Sequence, residues 1–348
     1  KQVYPKAQVH SVLASDGGDG FLDAIAKQLP CQEIFVETVD PLGRTIHAAY
    51  LWDDIGKTAY VEMASASGLE LLAASERKVL QTSTLGTGLL IKDAIAKGAR
   101  SVYIGLGGSA TNDAGTGIAV ALGYRFLDVE GNEVAPTGEN LSKIATIDKK
   151  EVPVDIDRIS LFAVNDVDNP LYGKNGAAHT YAGQKGASKE QITLLDQGLK
   201  HIDRLIKRQL GKDLAKAPGA GAAGGTAYGL QVFLNATYIS GTDFILDLVG
   251  VEDLLGRKQF DYIITGEGKF DAQTLNGKLI KGVVDLGKKY QVPVIAVCGK
   301  REIEEKTWKE MGLVEVLGIQ DQSMSDAYSM ANASGLIQEV VSAYLRSI

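Results

Sequence analysis

Four short loops of glycine and acidic residues dominate this 348-residue sequence: Ser15-Asp-Gly-Gly-Asp-Gly20, Gly107-Gly-Ser-Ala-Thr-Asn-Asp113, Pro218-Gly-Ala-Gly-Ala-Ala-Gly-Gly225 and Thr265-Gly-Glu-Gly-Lys-Phe-Asp271. The second and fourth follow short apolar runs, Ser101–Gly105 and Phe260–Ile264, that read as buried strands. A glycine loop between strand and helix presents bare backbone N–H groups at the positive end of a helix dipole, an arrangement that suits phosphate. Aspartates in the same loops add metal ligands or a proton acceptor, so the pattern points to phosphoryl chemistry.

Other clusters extend this reading. Asn165-Asp-Val-Asp-Asn-Pro170 follows the run Ile159–Val164, and Asp166 and Asp168 there offer hard oxygen ligands for Mg²⁺ or a place for a proton. Asn169-Pro170 makes a turn, but two aspartates exceed what a turn needs. Asp271 repeats the arrangement with Lys269 as a phosphate clamp, or else N-caps the residues after it. Ser109, Thr111, Asn112 and Asp113 put hydroxyl, amide and carboxylate groups before an expected helix over 114–122. One of them caps that helix, and the set reads as a ligand loop. Pro218–Gly225 is either a nest of N–H donors opening a helix or a connector. Arg44 can clamp a carboxylate, although an arginine after Pro41-Leu-Gly43 also reads as an exposed hairpin residue. His10, His47, His179 and His201 are scattered; only His179, in a glycine-rich segment, invites a test.

The elements that must position these groups alternate. Strands are expected over 260–264, 292–297 and 314–319, with helices over 277–290, 302–311 and 326–344. Such alternation specifies a parallel sheet with helices on both faces, and a strand over 7–13 is expected to join it. Short strands over 33–39, 47–52 and 58–62, separated by turn sequences, predict an antiparallel meander. Helices are expected over 85–97 and 189–210, and the glycine-rich segment 174–188 reads as a mobile lid.

Composition narrows the class. Glycine supplies 40 of 348 residues, above the usual share of about 7%, and its placement in loop corners implies special backbone geometry. Net charge is −7 with no dense Lys/Arg block, which argues against nucleic acid and anionic membrane as partners. Two cysteines, Cys31 and Cys298, make no disulfide scaffold, and neither a membrane span nor a signal peptide is visible, so a cytoplasmic enzyme is expected. No Gly-x4-Gly-Lys-Ser/Thr occurs, which excludes an ordinary P-loop ATPase. Gly105-x-Gly107-x-x-Ala110 with Asp128 downstream matches a dinucleotide fingerprint, except that Ser109–Asp113 intervenes before the helix. An NAD-dependent oxidoreductase is therefore one alternative.

Taken in order, Asp16-Gly-Gly-Asp-Gly20, Asp40-Pro-Leu-Gly-Arg44, Glu62-Met-Ala-Ser-Ala-Ser-Gly68, Thr82-Ser-Thr-Leu-Gly-Thr-Gly88, Gly107–Gly115, Asn165–Leu171, Pro218–Gly225 and Thr265–Asp271 resemble the bacterial glycerate kinase family, type 1. The resemblance implies transfer of the γ-phosphoryl of ATP, with Mg²⁺, to a hydroxyl of D-glycerate, giving 2-phosphoglycerate, by a monomer or homodimer. It implies an α/β fold: a doubly wound parallel-sheet domain over 1–40 and 240–348, a second α/β domain inserted over 41–239, and an active-site cleft between them. Phosphoryl transfer needs mostly positioning and charge stabilisation, and the loop residues suggest how the roles divide. Gly107, Gly108, Ser109, Gly219, Gly221 and Gly224 would cradle nucleotide phosphates with Lys269. Asp166 or Asp168 would hold Mg²⁺ or take the hydroxyl proton, with Asp16, Asp19 and Asp271 as further catalytic candidates. Ser83, Thr84, Arg44, Asn112 and Asp113 would meet the small acid.

The family pattern opens with a strand and an Asp-Ser/Ala-Phe-Lys loop upstream of Ser15-Asp16 that this sequence lacks, and Leu13 and Ser15 replace its usual Pro and Ala. Weak turnover by the chain as written is the expectation, and a ligand-binding relative without catalysis is the second alternative.

Overall fold

The computed structural model describes residues 3–13, 15, 17–18, 20–153, 156, 158–270, 278–321 and 323–348. It divides into two compact units, Ser15–Ile245 and Lys1–Ala14 with Leu246–Ile348. The fold class is α/β, as expected.

In the larger unit the strands are β1 (Gln32–Val39), β2 (Thr45–Asp53), β3 (Thr58–Glu62), β4 (Ser101–Gly105), β5 (Arg125–Leu127), β6 (Thr146–Asp148), β7 (Ser160–Val164) and β8 (Thr237–Ile239). Six of them form one sheet in the order β1-β2-β3-β4-β7-β8, while β5 and β6 make a separate ribbon. The meander is present, with β1, β2 and β3 antiparallel. From β3 onward the pairing is parallel, through β4 and β7 to β8.

Strand alternation separates two faces. Ala59, Val61, Val102, Ile104, Leu161 and Ala163 enter the core, where Leu90 and Ile91 of the helix Leu85–Ala96 meet them. Tyr60, Tyr103 and Phe162 stand on the opposite face as a stacked ladder, and Phe244 lies 4.8 Å from Tyr103 between ring centroids. The long helix Lys189–Leu210 starts where its sequence says it should. Ser188 and Gln191 cap each other reciprocally, and Leu195, Leu199, Ile202 and Ile206 bury one stripe.

The smaller unit holds β9 (Ile263–Phe270), β10 (Val294–Arg301) and β11 (Leu313–Gly318), all parallel in the order β11-β10-β9. Its core gathers Phe270, Ile280, Val294, Ala296, Trp308 and Val316.

Three expectations are corrected here. Thr265–Phe270 is strand rather than loop, because the ladder with β10 continues through Gly266↔Val297 to Lys269↔Lys300. Glycine marks a turn only where nothing pairs with the backbone, and here a parallel neighbour does. Residues 7–13 form no strand and join no sheet; Val9 is 63% exposed. Their apolar/polar alternation has no partner to bond, and a strand without one leaves its backbone to water. The expected terminal helix is broken at Asn332 into Asp326–Ala331 and Ala333–Ser347. Among the described residues, no helix is long and apolar enough to cross a membrane.

Candidate active site

In a sheet of this kind, ligands gather at the carboxyl ends of the parallel strands. Three backbone segments of the larger unit converge there, beyond β4 and β7. Gly107 donates its N–H to the Gly17 carbonyl (3.0 Å), and Leu106 donates to the Val164 carbonyl (3.1 Å). A Cβ on Gly107 would overlap the Cα of Gly18, and one on Gly17 would lie 2.8 Å from the Val164 carbonyl. Gly17 has φ +88°, a conformation that favours glycine. Leu22, at the start of the helix Phe21–Ala26, donates to Glu62 Oε2 (3.1 Å) at the end of β3. The structure thus brings the first and second glycine loops together at Val164, where the Asn165–Asp168 loop begins. Asp16, Asp19 and Asp271 lie outside the described residues.

The loop after β4 is held on both sides. Leu69 donates to the Gly108 carbonyl (2.8 Å), Ala110 donates to Ser67 (2.9 Å) and Ala114 donates to Gly224 (3.2 Å). Gly108 is exposed at φ +68°, and the N–H groups of Gly108 and Ser109 take no partner among the described residues. They are the donors a phosphate could meet. The third glycine loop is used differently. Gly221 donates to the Asn169 carbonyl (2.8 Å) and Gly225 to Gly221 (3.3 Å). Gly224, at φ +65°, is where a Cβ would overlap the Thr111 carbonyl. The N–H groups of Gly221 and Gly225 are thus spent within the protein, and Gly224 serves close backbone approach. Gly219 lies against Asn165 and Val167, where a Cβ would stand 3.2 Å from each.

Asp113 is fully buried. Its carboxylate accepts from Thr84 N (2.8 Å), Thr84 Oγ1 (2.8 Å), Gly115 N (3.1 Å) and Gly117 N (3.2 Å). Thr84 Oγ1 in turn accepts from Ile118 N (3.1 Å). One carboxylate therefore joins the starts of two helices, Leu85–Ala96 and Thr116–Ala121, where the helix dipoles favour negative charge. Burial pushes its carboxyl above the ordinary range, opposed by those donors. Of the residues expected to meet a small acid, Thr84 and Asp113 bond each other. Ser83 accepts from Leu85 N (3.2 Å). Arg44 is 48% exposed and ion-paired to Asp40 and to Glu76, the latter at 2.6 Å.

Asp166 accepts from Ser240 Oγ (2.9 Å), Thr242 N (2.8 Å) and Thr242 Oγ1 (2.6 Å), tying the loop after β7 to the start of the helix Gly241–Leu248. Asp168, two residues on, is exposed. Among the described residues, no three His, Cys, Asp or Glu side chains gather as a metal site. Lys269, in the smaller unit, pairs with Glu302 at 2.9 Å. Asp128 accepts from Glu130 N and Asn132 N in an exposed turn. Its carboxylate thus serves that turn, and nothing here supports the dinucleotide reading.

The residue that sequence reasoning missed is Lys185. It is 3% exposed, and its Nζ donates to Ser109 Oγ (2.8 Å) and to the Thr111 carbonyl (2.7 Å). The glycine-rich segment containing it is not a free lid: Ala177, Ala178 and Ala182 are fully buried, within and just after the helix Ala177–Tyr181. A lysine between glycines carries no sequence signal for burial, because its contacts come from residues far away in the chain. Burial lowers the Lys185 ammonium to about 7, although nearby Asp113 favours the charged form. The unfolded chain holds this proton up to the ordinary 10.5, so between pH 7 and 10.5 the unfolded state binds more protons and stability rises with pH. Against Lys185→Met, which cannot titrate, the wild-type chain should gain about 2–3 kcal/mol between pH 7 and pH 9 in denaturant unfolding. Parallel stability curves for the two proteins would show that Lys185 keeps an ordinary value.

The sequence pattern of the Glycerate kinase family matches residues 1–348. A relative called glycerate kinase, from Halalkalibacterium halodurans, is 39% identical over 97% of this chain and 89% of its own length. One called glycerate 2-kinase, from Escherichia coli, is 37% identical over 97% of this chain and 86% of its own. A crystal structure from Salmonella typhimurium LT2, described as a candidate glycerate kinase 2, superimposes with a TM-score of 0.78 at 35% identity, covering 99% of this chain and 91% of that one.

Proposed function

The chain belongs to the glycerate kinase family and is a kinase, and from that premise we propose that it transfers the γ-phosphoryl group of ATP to a hydroxyl of D-glycerate, giving 2-phosphoglycerate. The observation that carries this reading is the convergence of Gly17–Gly18 and Leu106–Gly107 on each other and on Val164, the last residue of β7, from which the Asn165–Asp168 loop leaves.

Phosphoryl transfer asks a protein mainly for positioning and for stabilisation of spread charge. The exposed Gly108 N–H and the Ser109 N–H supply donors without side chains in the way. Asp166 holds the loop after β7 through its three donors and so sets where Asp168 stands. Magnesium in such enzymes uses one or two carboxylates together with phosphate oxygens and water, and the exposed Asp168 offers one such carboxylate. When bound, that ion would neutralise developing phosphate charge.

The test is ADP release with Mg-ATP and D-glycerate, the product resolved by ³¹P NMR into the 2- or 3-phosphate. Asp168→Asn should lower kcat by about 100-fold or more while thermal unfolding stays close to wild type. A near-normal rate would remove Asp168 from the site. Absence of ADP release with D-glycerate and every other small hydroxy acid would overturn the activity.

A further inference from the structure

We infer that Lys185 is a positioning residue of this site, holding the Gly107–Asp113 loop from the inside through Ser109 Oγ and the Thr111 carbonyl. This deepens the kinase reading, since it matters for catalysis only if that loop meets the phosphates. The geometry that supports it is direct. The two bonds, at 2.8 and 2.7 Å, reach the middle of the loop from a side chain 3% exposed. Its hydrogen-bond partners among the described residues are these two oxygens, while Asp113 lies close enough to favour its charged form. Either form of the amine, neutral with two N–H donors or charged with three, serves both acceptors.

Asp113 fastens the end of the loop to Thr84, but the polar side chains in its middle do not do this work. Thr111 Oγ1 and both polar atoms of Asn112 are buried with no hydrogen-bond partner in the described structure. The segment that carries Lys185 is itself anchored. Asn169 Nδ2 donates to the Asn175 carbonyl (2.8 Å), and Tyr181 donates its hydroxyl to Asn169 Oδ1 (2.6 Å). At the other end, Gly186 packs where a Cβ would overlap the Arg77 carbonyl. Residues 174–188 therefore brace two loops at once: the one after β7 through Asn169 and the one after β4 through Lys185.

Amide hydrogen exchange on the chain without substrates tests this independently of turnover. In Lys185→Met the Ala110 and Ala114 amides, which bond Ser67 and Gly224, should exchange about tenfold faster or more, while Val102 and Ile104 in β4 keep their protection. With Mg-ATP and D-glycerate, kcat should fall about tenfold or more with KM for D-glycerate within about twofold of wild type. Ser109→Ala, which removes one acceptor and keeps the lysine, should show the same confined loosening, and it decides the matter if Lys185→Met does not fold. Wild-type protection at Ala110 and Ala114 in the folded variants overturns the inference, as does faster exchange with unchanged kcat. A wild-type chain that turns over no substrate would instead fail the kinase reading, leaving the exchange result to decide the brace.

Discussion

Gly107→Ala is expected to lower kcat for D-glycerate by about 100-fold, because the new methyl would coincide with backbone rather than with a side chain that can turn away. The Cβ would fall on Gly18 Cα and within 3.0 Å of Gly18 N, and the same glycine donates its N–H to Gly17. Neither loop can yield locally. Gly17 is already pressed on the Val164 carbonyl, and the loop after β4 is fastened to Ser67 and Gly224. The two loops must separate, and a displacement of about 1 Å among groups that position a phosphoryl transfer is worth about two orders of magnitude. Gly335→Ala is the matched control: it lies in the helix Ala333–Ser347 with nothing within 4 Å of its Cβ position, and turnover should be unchanged. A kcat for Gly107→Ala within about threefold of wild type would remove these loops from the chemistry.

The second large effect is on stability. Asp113→Ala should cost about 3–5 kcal/mol, since it strands buried donors on Thr84, Gly115 and Gly117 at the starts of two helices. For a unit of this size that lowers Tm by roughly 10 °C. Asp113→Asn should be nearly as damaging. Gly115 N–H points at one oxygen, and Thr84 and Gly117 N–H point at the other, so whichever side the amide nitrogen takes, it faces a backbone donor that cannot turn round. Calorimetry of both variants gives the answer, and a loss below about 1 kcal/mol for the asparagine would mean the carboxylate is not the link between the helices.

These two residues show how far reading the sequence goes. Gly107 and Asp113 both stand in a loop whose residue types announce a ligand. The structure separates them into a close-approach glycine at the site and a buried acid that ties the scaffold. Asp166 likewise stands in a loop that announces a ligand, and the structure engages it with Ser240 and Thr242. Lys185 went the opposite way, from an unremarked residue in a glycine-rich stretch to the interior of the candidate site.

The sequence by itself determined the α/β class, the meander, the long capped helix and the order of the glycine loops. Each of these rests on periodicity, capping or turn chemistry acting over a few residues. The tertiary structure alone decided which N–H groups stay available and which acids are consumed. The partners that consume them are distant in sequence: Thr84 is 29 residues from Asp113, Ser240 is 74 from Asp166, and Lys185 is 76 from Ser109. It also decided that Thr265–Phe270 is strand and residues 7–13 are not, because a strand exists only where a neighbouring backbone bonds it.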